Sequence, residues 1–150
     1  MALSTLDIES RVDANQRLVS FGAVTGSLML ALQHITIEAH APSWLNVLVT
    51  LASSAGWIVF LYAAYKNRKL FMTAEGLEYK KQIEGDERLM TIRNQAFMWG
   101  FGAMLVIQVV MILAWTFFEL HFLTIPVSTT ATMAAGITSA VLRFQILSSK

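Results

Sequence analysis

The chain has 150 residues, of which 55% are hydrophobic and 14% charged, with a net charge of +1 and no cysteine. Soluble domains carry about a quarter charged residues, so this composition excludes an ordinary water-soluble globule. The missing cysteine excludes disulfides, thiolate nucleophiles and cysteine-based zinc or iron–sulfur centres, which leaves an all-α integral membrane protein as the expected class.

The amino terminus reads STLDIES, acidic where a secretory signal is basic, and no small-x-small cleavage site follows, so a cleaved signal is not expected. Ser4 is the predicted N-cap of a short amphipathic lead-in, with Asp7 near the positive end of that helix. The first apolar run then covers 18–37 (LVSFGAVTGSLMLALQHITI). It ends in IEAH, followed by Pro42. The second run covers 44–65, the third 96–118 and the fourth 122–142, reaching Ile146 if Arg143 snorkels. Each has about the 20 residues needed to cross a hydrocarbon core of ~30 Å as a helix. None carries Asp, Glu or Lys at mid-depth; Gln108 is the polar residue expected near mid-membrane, bonded to a Ser or Thr of a neighbouring helix.

Between the second and third runs lies a loop over 66–95, predicted to be helical. Thr73 followed by Ala-Glu-Gly reads as a helix start, and Glu84 four residues before Arg88 reads as a helical ion pair. From Asp86 onward nothing breaks the pattern, so the third helix is expected to extend below the membrane. Lys and Arg total 11. They fall at Arg11 and Arg17, in the 66–95 loop, and at Arg143 and Lys150, with none in the short loops at 38–43 and 119–121. The positive-inside rule therefore predicts four transmembrane helices as two hairpins, with both termini and the 66–95 loop cytoplasmic in a bacterial inner membrane. Trp44 and Trp115 would mark the outer interface, and Tyr62, Tyr65 and Trp99 the inner one.

The two hairpins resemble each other. ANQRLVSFG (14–22) and RNQAFMWGFG (93–102) both carry Asn-Gln and then Phe-Gly, and both outgoing helices end in Glu-x-His before a proline. A parallel repeat and a chance likeness among apolar segments both account for this. Gly22-x-x-x-Gly26 offers a smooth face, either for packing within one four-helix bundle or for a second copy or another membrane protein.

All three histidines fall on the outer side. His34, Glu38, His40, Glu119 and His121 are candidate ligands for a metal, or His34 and His121 for haem; imidazole and carboxylate suit zinc, copper or iron, and the histidines also suit a pH switch. The competing reading is that these are helix ends at the water's edge, where histidine favours the negative end of the helix dipole.

GDERLMTIRNQAFMWGF (85–101) resembles the segment before a helical hairpin in a group of small uncharacterised bacterial multi-span membrane proteins. In that group an Asp-Glu-Arg triplet precedes an Ile-(Arg/Lys)-x-x-Ala run, matched here by Asp86, Glu87, Arg88, Ile92, Arg93 and Ala96. Such proteins are often encoded beside small helix-turn-helix regulators, so the resemblance implies a regulatory or sensing role and no known activity.

No phosphate loop, catalytic triad or deep carboxylate pair is present. The expected function is a non-enzymatic accessory or regulatory subunit of the inner membrane that associates with other membrane proteins or with itself, without a cofactor. Gly22, Gly26, Asp86, Glu87 and Arg88 are the candidate partner-binding residues. A soluble cytoplasmic protein docking at 66–95 is a further candidate partner; nucleic acid is not. The alternatives are a metal- or haem-binding redox or sensor protein built on the outer His/Glu cluster, and a small oligomeric channel or exporter.

Overall fold

The computed structural model describes residues 5–118 and 124–148, and these form five helices with no strand among them. The helices are α1 (Thr5–Glu38), α2 (Ser43–Phe71), α3 (Ala74–Gly85), α4 (Glu87–Phe118) and α5 (Ile125–Ser148). All except α3 are long and apolar enough to cross a membrane. The acidic lead-in is not a separate element: α1 runs unbroken for 34 residues, roughly 50 Å at 1.5 Å per residue, longer than the apolar core it crosses. The expected cap Ser4 lies outside the described residues.

The helix boundaries have local causes. At the end of α1 the backbone N–H of Ala41 bonds to Thr36 O at 2.9 Å and that of His40 to Ile37 O at 3.1 Å. That pair of bonds, with His40 at φ 52°, is a Schellman motif in which histidine occupies the left-handed position. Pro42 then opens α2. Thr73 caps α3 as expected, its Oγ1 accepting from Gly76 N at 3.1 Å. Gly76 is obligatory there, because a Cβ would run into Leu70 O. Asp86 ends α3 and starts α4, its Oδ1 accepting from Arg88 N at 2.9 Å and Leu89 N at 3.3 Å. That break overturns the expected Glu84–Arg88 pair: the two residues sit on different helices, and Glu84 pairs instead with Lys80 at 3.6 Å.

α1 packs along α2, α4 along α5, and α1 against α5, while α3 touches α1, α2 and α4. Among the described residues no Cα of α2 lies within 8 Å of one in α4, and none of α1 within 8 Å of one in α4. The neighbour order is therefore α2–α1–α5–α4, an open arrangement rather than a closed bundle. Two close crossings hold it. A Cβ on Gly22 would stand 2.8 Å from Gly56 O, and one on Gly56 would stand 3.2 Å from Gly22 O. The same reciprocal pattern joins Gly100 and Gly136, at 2.8 and 3.2 Å. Next-turn residues complete each crossing: Phe60 and Gly26 at the first, Ala140 and Met104 at the second. Such approach lets backbone dipoles and dispersion act where lipid removes any hydrophobic force between helices.

The middle of the row is closed by small and polar side chains. Ser27, Ala31, Val127 and Ala134 are buried. Val127 and Ala134 are seven residues apart, on the side of α5 turned away from Gly136, as a helix enclosed between two neighbours requires.

Candidate functional site

Two places gather polar chemistry, one at each end of the molecule. At the α1–α2 turn, Glu38 closes α1 and its Oε1 accepts from Thr124 Oγ1 at 3.1 Å, tying the start of α5 to the end of α1. His40 is exposed, and its Nδ1 lies 3.0 Å from Glu38 O. His34 stands one turn before Glu38 and is half-buried. No group of three His, Cys, Asp or Glu residues gathers here to hold a metal among the described residues. Glu119 and His121, the other two residues of the expected ligand set, lie outside the described residues. Within IEAH the histidine backbone ends the helix and the glutamate side chain bridges to Thr124 at the start of α5.

The second place is a cavity of about 820 Å³ at the end that carries α3. Residues of α1, α3, α4 and the last turns of α5 line it. α1 contributes Glu9, Asp13, Gln16 and Arg17 from a single face at i, i+3, i+4 spacing. α4 contributes Arg93, α3 contributes Tyr79, and Gln145 comes from α5. Two carboxylates and two guanidiniums thus share one cavity, yet none of them pairs with another; the ion pair nearby is Lys80–Glu84 on the outside of α3. Arg93 instead donates to Met90 Sδ at 2.9 Å, a weak acceptor. Partial burial pushes the Tyr79 phenol above its usual range, and the negative charges of Glu9 and Asp13 push it further the same way. The phenol therefore stays protonated at neutral pH, an O–H donor and acceptor beside two carboxylates.

The remaining candidates separate. Gly22 and Gly26 are buried against this chain's own α2, with Ser53 Oγ donating to Gly26 O at 3.2 Å, so that face is filled from within. Asp86 is occupied as a cap, and Glu87 and Arg88 are exposed on the first turn of α4. Gln108 is held as its position demands: its Oε1 accepts from Thr132 Oγ1 at 2.8 Å, with Ser128 O as a second acceptor for the same hydroxyl at 2.7 Å. Lys66 and Arg143 lie over the Tyr62 and Trp99 rings at 4.7 and 5.1 Å, as cation–π contacts.

The expectations drawn from the sequence do not include this cavity. A signal for it existed in Glu9-x-x-x-Asp13-x-x-x-Arg17, a charged face on a helix whose continuation is apolar; its fellow wall, Arg93, is visible only in three dimensions. No family model, curated protein or solved structure matches this chain.

Proposed function

We propose that this chain is a non-enzymatic accessory or regulatory subunit of a bacterial inner membrane, arranged as two helical hairpins with both termini and α3 cytoplasmic. The observation that carries the proposal is the open neighbour order: α2 and α4 stay apart, and at most 22% of the residues in any candidate span's most apolar window are buried. A single-chain pore needs a closed ring of helices, and the open order α2–α1–α5–α4 does not supply one.

An uncovered groove between α4 and α5 supports a partner helix. Gly102, Ala103, Ala135 and Ser139 floor that groove, and Met98 and Val106 flank it. A Cβ on Gly102 would meet nothing within 4 Å, so no described residue of this chain uses the space that glycine leaves. Small residues facing outward in this way let a second backbone approach closely. The local resemblance of residues 85–101 to membrane proteins encoded beside regulators supports the regulatory half of the reading. The test is purification from native membranes in mild detergent. Co-purification of another membrane protein, or a defined homo-oligomer, is expected, and Gly102→Leu is expected to deplete it. A lone monomer with no partner, in wild type as in the variant, would overturn the proposal.

A further inference from the structure

The charged residues lining the cavity at the α3 end are all exposed and are sorted by their position along the helix axes. Arg17 lies immediately before the first apolar run and Arg93 just before the third, which sets both guanidiniums at the level of lipid phosphates. Asp13 and Glu9 stand one and two turns further out on the same face of α1, about 6 and 12 Å along the axis. A simple anion entering from the aqueous side would first meet two carboxylates. A polyamine would meet two guanidiniums at the end nearer the membrane core. A molecule carrying both charges, with its anionic group deepest, satisfies all four side chains, which make no ion pair with one another.

Phosphate suits the deep end, because guanidinium groups grip it through paired N–H donors. The outer end suits an ammonium with N–H donors, which two carboxylates and the Tyr79 hydroxyl can accept. We propose that this cavity binds an ammonium–phosphate zwitterion, its phosphate held by Arg17 and Arg93 and its ammonium by Asp13 and Glu9. Burial first, and then the charges of Glu9 and Asp13, lift the Tyr79 phenol; those same two charges are what the ammonium would meet. Two sources share the chemistry: the headgroup of phosphatidylethanolamine, which presents phosphate below ammonium in the same order, and free phosphoethanolamine. A cavity of about 820 Å³ accommodates either. Placing it at the cytoplasmic leaflet rests on the topology proposed above; the binding chemistry does not.

The test uses the full chain in mild detergent, offered equal amounts of phosphatidylethanolamine, phosphatidylglycerol and phosphatidylcholine and read by native mass spectrometry. Retention of phosphatidylethanolamine roughly tenfold above the other two is expected, the difference one or two charge-assisted contacts provide. Arg17→Gln with Arg93→Gln, and separately Glu9→Gln with Asp13→Asn, are expected to abolish it. Glu78→Gln, exposed on α3 outside the cavity lining, is expected to retain it. Titration calorimetry with phosphoethanolamine is the second arm. Heat from that probe without lipid retention upholds the zwitterion site and assigns it to a free ligand. Equal retention of phosphatidylglycerol, or phosphatidylethanolamine retained by the carboxylate variant, would overturn the proposal, as would silence from both probes. Should a double variant fail to show the wild-type helical spectrum and melting curve, the single Asp13→Asn replaces it, expected to weaken binding. Binding in detergent is blind to orientation, so failure here leaves the topology and the accessory role untouched.

Discussion

His40 ends a helix in a backbone conformation that few side chains adopt. Its φ of 52° is a conformation that costs a residue bearing a Cβ about 1 kcal/mol relative to glycine, though histidine is among the side chains that enter it most readily. The return is local: two orphan carbonyls at the end of α1, Thr36 O and Ile37 O, gain donors, and the ring Nδ1 sits 3.0 Å from Glu38 O. If capping is its role, His40→Gly should leave the protein as stable or raise stability by up to ~1 kcal/mol, the strain relieved outweighing the lost ring contact. His40→Val, β-branched at positive φ, should destabilise by more than that. Thermal melts in detergent check both. A large loss of stability with glycine would mean that the imidazole itself, not the backbone, is what the turn requires.

At the scale of elements, what could be read from the chain is what has a local cause. Thr73-Ala-Glu-Gly started a helix because a hydroxyl reaches the N–H three residues on, an event contained within four residues. The Glu84–Arg88 pair failed for an equally local reason, since Asp86 caps a new helix between them. Neighbour order was not legible. In a bilayer a side chain facing lipid and one facing another helix are both apolar, so no amphipathic stripe marks which faces touch. The repeat shows the same limit. The likeness of Phe21-Gly22 to Phe101-Gly102 pairs Gly22 with Gly102, but the residue that does for the second crossing what Gly22 does for the first is Gly100, and Gly102 faces open space. That difference is measurable. Gly22→Ala, Gly56→Ala and Gly100→Ala each push a methyl against backbone atoms that cannot yield separately, and each should cost about 1–3 kcal/mol. Gly136→Ala meets chiefly the flexible side chain of Met104 and should cost less. Gly102→Ala should be neutral or stabilising by up to ~1 kcal/mol, the gain in helix propensity. Equal losses at Gly100 and Gly102 would remove the basis for treating the two crossings as equivalent.

For the molecule as a whole, the decisive asymmetry is between its two ends. The described turn over residues 39–42 carries no Lys, Arg, Asp or Glu, while the opposite end carries α3, the lower turns of α1 and α4, and the basic residues from Lys66 to Arg93. Moving that end across a membrane would require translocating Lys66, Arg68, Lys69, Lys80, Lys81, Arg88 and Arg93 together, whereas the 38–43 loop crosses without moving any basic residue. Positive charge near span ends resists translocation, which supports the proposed orientation with α3 in the cytoplasm. The zwitterion cavity would then sit in the cytoplasmic leaflet, and the Glu38–Thr124 bridge on the far side. Because the chain has no cysteine, single introduced cysteines report their side without background. Ser43→Cys, exposed at the start of α2, should react with a membrane-impermeant maleimide on intact cells stripped of outer membrane. Met72→Cys, at a residue 70% exposed beside α3, should react only after the membrane is opened. The reverse pattern would invert the protein and move its cavity to the outer face. The two positions flank α2, so labelling of both from one side would mean that α2 does not cross the membrane, and the two-hairpin arrangement would fall with it.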